Sequence, residues 1–203
     1  MTSRQAYAPS LRLENVTVIR GNRLVFNNLN LSVAAGELLW VRGANGCGKS
    51  TLFRVIAGLL GAFTGKVHAD GKLALADENL ALDPNLTVGA ALHFWAQMDG
   101  ATLADCDAAL AAMDLLSLAD IPVRYLSTGQ RKRAAIARVL ASGSAIWLLD
   151  EPYNGLDSAS SAHLDKAILS HIAKGGIVLL AAHQSPSINV SDSLILDAKG
   201  RSV

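Results

Sequence analysis

Apolar and polar residues alternate from Leu11 to Ile19, with Leu11, Leu13, Val16 and Val18 on the apolar side. A period of two is that of a half-buried strand. Gly21-Asn22 reads as a turn, and Leu29-Asn30-Leu31-Ser32-Val33 repeats the alternation. Ala35-Gly36-Glu37 then turns the chain into a short apolar strand, Leu38-Leu39-Trp40-Val41. A helix is expected from Ser50 to Ala57, ending near Gly58, whose freedom at positive φ suits a helix C-terminus. Lys66 to Ala69 and Lys72 to Leu75 flank Asp70-Gly71, a spacing that predicts a hairpin. From Val88 to about Leu118 the period becomes helical. Ala91, Leu92, Trp95 and Met98 can line one face, and Leu110, Met113 and Leu116 another. Asp99-Gly100 separates the two, and Thr102 or Asp105 starts the second. Further on come a helix from about Gly129 to Leu140, a buried strand from Ala145 to Leu149, a helix from Ser158 to Ala173 and a strand from Gly176 to Ala182. Leu194 to Leu196 and the residues around Lys199-Gly200 read as a closing hairpin. Strands alternating with helices predict an α/β core with a parallel sheet.

Composition narrows the function classes. Half of the 203 residues are apolar, enough for a substantial core in one large domain. The net charge of +1 supplies no basic field to hold nucleic acid, and no polybasic tail suggests direct binding to anionic lipid. Mean hydropathy is positive, yet no apolar run approaches the roughly 18 residues that span a bilayer. Met1 to Ser10 has no hydrophobic signal core, so a cytosolic chain is expected. Two cysteines, Cys47 and Cys106, make neither a disulfide framework nor a metal-ligand spacing.

The chemistry concentrates after the strand Leu38 to Val41. Gly43-Ala44-Asn45-Gly46-Cys47-Gly48-Lys49-Ser50 has the spacing G-x-x-x-x-G-K-S and opens a helix at Ser50-Thr51. Glycines let the backbone curl around a phosphate, and the curled N–H groups with the helix N-terminus face the anion. Lys49 can reach the β- and γ-phosphates of a nucleotide, and Ser50 can offer a hydroxyl to Mg²⁺. Cys47 reads as a small residue that fits the loop. Asp150-Glu151 ends the apolar strand Ile146 to Leu149, where Asp150 can hold Mg²⁺ and Glu151 can polarise the attacking water. Leu126-Ser127-Thr128-Gly129-Gln130 begins a basic helix with Ser127 as its N-cap, and the N–H groups behind it can face an anion.

Together and in this order, these segments resemble the ATP-binding subunits of ABC transporters over almost the whole chain. Gly43 to Ser50 is similar to the Walker A loop, Leu126 to Gln130 to the signature motif, and Ile146 to Asp150 to Walker B. Asn154-Gly155-Leu156-Asp157 is similar to the D-loop, and His183 stands where the family has its switch histidine. The resemblance implies a P-loop NTPase core of α/β class with an antiparallel β subdomain. It implies a small helical subdomain at about residues 87–126, within one ATP-binding domain over 1–203. It also implies Mg²⁺ with ATP as substrate, Glu151 and His183 as catalytic residues, and two copies facing head to tail. Each ATP then lies between one copy's Walker A and the Ser127, Gly129 and Gln130 of the other, with Asp157 at the D-loop. Separate integral-membrane permease subunits are implied as partners, so the chain is expected at the cytoplasmic face of a bacterial inner membrane, as a peripheral subunit.

A narrower resemblance is to the haem-exporter ATP-binding subunits of cytochrome c maturation. Its residues are Arg20-Gly21-Asn22-Arg23-Leu24-Val25-Phe26, Gly36-Glu37-Leu38-Leu39, Pro122-Val123-Arg124, Trp147 to Pro152, and Ala182-His183-Gln184. Three departures from the wider family stand out. Arg20 occupies the place of an aromatic residue that stacks on adenine; a guanidinium also stacks on a ring, with looser base selectivity. Glu78, or Asn79, stands where a glutamine is expected, and the carboxylate of Glu78 suits Mg²⁺. Ala182 replaces a Thr or Ser before His183, a minor change. Three alternatives stay open: an exporter of other small molecules or lipids, a soluble ABC ATPase acting on DNA or ribosomes, and a module that holds ATP without turnover.

Overall fold

The computed structural model describes residues 8–79 and 81–197. Strands β1 (Ser10–Arg20) and β2 (Arg23–Ala34) form the first hairpin, and β3 (Leu38–Arg42) leads into helix α1 (Lys49–Ile56). Strands β4 (Thr64–Asp70) and β5 (Leu73–Ala76) follow. Helices α2 (Val88–Asp99), α3 (Leu103–Ala112) and α4 (Thr128–Ala141) come next, then β6 (Ile146–Asp150), α5 (Ser158–Ala173), β7 (Ile177–Ala181) and β8 (Asp192–Ile195).

Two sheets result: an antiparallel one in the order β2-β1-β4, and a five-stranded one in the order β5-β6-β7-β3-β8, whose pairings are all parallel. The central strands β3, β6 and β7 are apolar on both faces, as a sheet covered on both sides requires. Their alternate residues feed two cores. Leu39, Val41, Ile146, Leu148, Ile177 and Leu179 pack with α1 and the inner face of the antiparallel sheet. Leu38, Trp147, Leu149, Val178 and Leu180 pack with residues of the four later helices. Helix α1 is thereby sandwiched between the sheets, with Leu52 and Phe53 fully buried.

The expected mixed architecture, a parallel P-loop core with an antiparallel sheet, is the one observed. One local expectation fails. Lys66 to Leu75 is not a hairpin: β4 pairs with β1, and β5 pairs in parallel with β6. Gly71 at φ 129° redirects the chain from one sheet to the other. An Asp-Gly pair supplies positive φ without obliging its arms to pair. The first arm of the expected closing hairpin is β8, which lies parallel to β3; its second arm, around Lys199-Gly200, falls outside the described residues. Helix faces follow the pattern except at their ends, where Met98 and Leu116 are exposed. Thr102, not Asp105, is the N-cap of α3; Asp105 is the reciprocal member of its capping box.

Candidate functional site

Strand order builds the site. β7 lies between β3 and β6, and Val41 and Asp150 both register against Ala181. The C-terminal ends of three parallel strands therefore finish at one level, the usual place for ligands in such sheets. From β3 comes the glycine loop, from β6 Asp150-Glu151, and from β7 Ala182-His183. Trp40 secures the last of these by donating its indole N–H to the Ala182 carbonyl at 3.0 Å.

These ends line a cavity of about 600 Å³. It gathers Ala44, Asn45, Gly46, Cys47, Gly48, Lys49, Ser50, Thr51, Asp150, Glu151, His183 and Arg20. Arg23, Val25 and Asn154 line it too, and the sequence reading did not single them out for this role. Arg23 had a detectable signal, since it faces Arg20 across the two-residue turn. Gly43 forms the base of the loop, and its carbonyl accepts from Lys49 Nζ at 2.8 Å. Cys47 is buried in the core beneath, where a Cβ on Gly43 would stand 2.5 Å from its Sγ.

Gly48 caps α1 at φ 116°, and a Cβ there would lie 2.7 Å from Val25 Cγ1 and 2.8 Å from Phe26 Cε1. Phe26 is fully buried, as a core residue would be. Gly48→Ala is expected to lower Tm by about 3–10 °C, from backbone strain of about 1–3 kcal/mol. It also removes nucleotide binding; differential scanning calorimetry with and without ATP checks both effects.

Glu151 sits just past β6 at φ 48°, a left-handed conformation that costs a non-glycine residue free energy. Its N–H still donates to the Ala181 carbonyl at 2.9 Å, so the chain turns sharply straight after its last sheet bond. The carboxylate is thereby set inward. Oε1 lies 3.5 Å from Lys49 Nζ and 3.3 Å from His183 Nε2, yet this buried oxygen accepts no hydrogen bond of good geometry. An acceptor held between two nitrogen groups at the mouth of an anion loop is placed to take a proton from water.

Asp150 is buried, and its Oδ1 has no hydrogen-bond partner. Burial pushes its carboxyl above the ordinary carboxylate range; repulsion from Glu151 adds to this, while the Ser50 hydroxyl and Lys132 oppose it. Lys132 also donates to the Asp150 carbonyl at 3.4 Å. An orphaned carboxylate oxygen beside a serine hydroxyl fits Mg²⁺, which takes oxygen ligands and draws several from phosphates and water. No group of three His, Cys, Asp or Glu side chains that could hold a metal ion occurs among the described residues, so phosphate and water oxygens would have to complete such a site. Because the folded carboxyl titrates high, its stabilising protonated form is lost as pH rises through the folded pKa, and at neutral pH the buried charge is a cost. Asp150→Asn is therefore expected to raise Tm of the nucleotide-free chain at pH 7 while abolishing Mg²⁺-dependent hydrolysis. A lower Tm by calorimetry would contradict this account.

The remaining expected site residues lie elsewhere. Glu78 does not line the cavity. Its side chain is 85% exposed and stands 3.6 Å from Arg54, whereas its buried neighbour Asp77 pairs with Arg54 at 3.2 Å. Asn79 donates its N–H to Asp77 Oδ1 at 2.9 Å. Ser127 and Gln130 close a capping box at the start of α4, and Gly129 packs against the Gly155 carbonyl. Asp157 caps α5 by accepting from the Ser160 N–H at 2.7 Å, a bond that holds its carboxyl below the usual range. Within one chain these four residues serve as helix ends, apart from the cavity.

Residues 26–154 match the ABC transporter family model. The chain is 52% identical over 186 residues to the cytochrome c biogenesis ATP-binding export protein CcmA of Sphingopyxis alaskensis, covering 92% of this chain and 96% of that one. The protein of the same name from Novosphingobium aromaticivorans is 53% identical, with 81% and 84% covered. Among solved structures, a bacterial Atm1-family ABC exporter with ATP bound superposes with a TM-score of 0.86 at 25% identity. That match takes in 97% of this chain and 38% of the exporter chain, so this chain spans well under half of that protein. By fold, by motif order and by these relatives, the chain belongs to the ATP-binding proteins of the ABC transporter family, in the branch of the cytochrome c biogenesis export proteins.

Proposed function

We propose that this chain is the ATP-hydrolysing subunit of a membrane exporter that serves cytochrome c biogenesis, with haem transport as the associated activity. The observation that carries the proposal is the position of Glu151 Oε1, between Lys49 and His183 at the mouth of the glycine-loop cavity. Lys49 and the loop N–H groups hold the β- and γ-phosphates. Glu151 accepts the proton of the attacking water, and His183 orients against the γ-phosphate. Ser50 and Asp150 would hold Mg²⁺, which would supply charge neutralisation at the phosphates. Glu78 lies outside the cavity, so it serves as a metal ligand only if its loop moves inward.

Ser127, Gly129, Gln130 and Asp157 stand apart from their own chain's cavity, which supports a role toward the nucleotide of a second copy. Two copies head to tail, attached to separate permease subunits, form the working unit at the cytoplasmic face of the inner membrane. No helix among the described residues is long and apolar enough to cross a membrane, which accords with attachment through other chains.

The test is to purify tagged Glu151→Gln protein with ATP from its own membranes and identify the integral-membrane proteins that accompany it. Cytochrome c maturation subunits are expected. A different permease would keep the ATPase and overturn the assignment to cytochrome c biogenesis, and no membrane protein at all would favour a soluble ABC role.

A further inference from the structure

Glu151 and His183 follow neighbouring strands, and the contact between them, 3.3 Å from Oε1 to Nε2, is partly open to water. A second link joins the same two segments through α5. Asp165, midway along that helix, offers one carboxylate oxygen to each. The Tyr153 hydroxyl donates to its Oδ1 at 2.5 Å, and the Ser187 hydroxyl donates to its Oδ2. Tyr153 stands two residues past Glu151, and Ser187 four residues past His183. Tyr153, Asp165 and Ser187 all lie outside the lining of the nucleotide cavity.

The Tyr153 end of the link is anchored twice. Its half-buried ring packs against the core of the later helices. Its backbone belongs to a tight turn, in which the Asn154 N–H donates to the Glu151 carbonyl at 3.3 Å and the Leu156 N–H to the Tyr153 carbonyl at 3.1 Å. This turn carries Glu151 at φ 48°, a conformation that persists only where the surroundings hold it. Burial and the adjacent Asp165 push the Tyr153 hydroxyl above its ordinary pKa, so it stays a donor at neutral pH. A hydrogen bond to a charged acceptor is roughly twice as strong as a neutral one. At the other end, the chain from Ala182 to Ser191 is neither helix nor strand, so side-chain bonds such as that of Ser187 set its course.

We propose that Asp165 is a positioning residue for ATP hydrolysis, tying the Glu151 turn to the His183 segment and so fixing the two side chains relative to each other. This rests on reading Glu151 and His183 as the groups that act on the attacking water and the γ-phosphate. A misplacement of about 1 Å made far from the chemistry can cost on the order of 10²-fold in rate. Releasing the link leaves the phosphate loop untouched, so the loss falls on kcat and not on ATP binding.

The experiment compares Asp165→Asn, Tyr153→Phe, Ser187→Ala and the double variant Tyr153→Phe with Asp165→Asn, all in the full chain. Each single change removes a polar contact with little change of shape. In Asp165→Asn, kcat is expected to fall about tenfold. ATP affinity, titrated calorimetrically with Glu151→Gln added to stop turnover, should stay within about twofold. The double variant should be no slower than Asp165→Asn, because both changes break one link. Hydrogen exchange read by mass spectrometry should quicken about tenfold in residues 151–156 and 183–190 of Asp165→Asn, with β3 and β7 unchanged. Unchanged exchange in either segment would overturn the proposal. So would a fall in kcat matched by an equal fall in ATP affinity, which marks general loosening, or effects that multiply in the double variant. Glu151→Gln alone is the control. If it turns over ATP at the parent rate, the reading of Glu151 fails and the link positions nothing; if it is inactive while Asp165→Asn keeps full kcat, the link alone fails.

Discussion

Glu151→Gln is expected to lower ATP turnover by about 10²–10⁴-fold while leaving ATP binding intact, the range for loss of a positioned general base. The substitution is clean because glutamine has the same shape. It leaves the φ 48° turn and the bond from residue 151 to the Ala181 carbonyl in place. What changes is charge. The carboxylate oxygen 3.5 Å from Lys49 competes with phosphate for that ammonium, and it would repel a γ-phosphate at the same place. A neutral amide removes both effects, so affinity for ATP should hold or rise. If two copies pair head to tail as proposed, blocked hydrolysis keeps the ATP-bound pair from reopening, and a dimer should persist in size-exclusion chromatography with light scattering when ATP is present. Full turnover in this variant would remove Glu151 from the chemistry; monomers with ATP bound would count against the head-to-tail pair.

Local chemistry was the more legible part of this chain. Gly43 to Ser50 announces its fold because each residue type meets a backbone demand, and Gly48 at φ 116° shows how little choice the loop leaves. Asp150 and Glu151 were legible because two acids directly follow an apolar run of strand length, although Asp150 proves to be the last residue of the strand itself. Helix ends were legible in part: Ser127 caps as expected and Thr102 is one of the two starts considered, whereas the cap at Asp157 was not read from the sequence. Partner choice between strands was not. Nothing local in Lys66 to Leu75 tells that β4 joins β1 while β5 joins β6, since both arms have strand periodicity and the turn permits either path. Asp77 and Lys132 were missed for a similar reason. Asp77 answers Arg54 from 23 residues away, and Lys132 reaches back to the Asp150 carbonyl. Such pairings are set by the packing of whole elements, which single-residue patterns do not encode.

Lys49→Ala should weaken ATP binding by about 3 kcal/mol, roughly a hundredfold in Kd, the scale of a charge-assisted hydrogen bond removed from a shielded site. Lys49 is 6% exposed, and its ammonium spans from the Gly43 carbonyl at 2.8 Å to Glu151 at 3.5 Å. The first contact holds the two ends of the glycine loop together before any ligand arrives; the second keeps the carboxylate from facing the cavity alone. Removing the ammonium loses a cation for phosphate and also exposes an incoming γ-phosphate to the unopposed charge of Glu151. These losses share a cause, so they should not add. In a cycle of Lys49→Ala, Glu151→Gln and the double variant, the affinity lost on removing Lys49 should be smaller when residue 151 is already neutral. Folding stability should change by only about 1 kcal/mol, because Glu151 keeps contact with water. Calorimetric titration with ATP, paired with thermal unfolding of each variant, separates the two effects. Unchanged affinity in folded Lys49→Ala would sink the phosphate-loop assignment. Additive losses across the cycle would show that Lys49 and Glu151 act on the nucleotide independently, in spite of their contact.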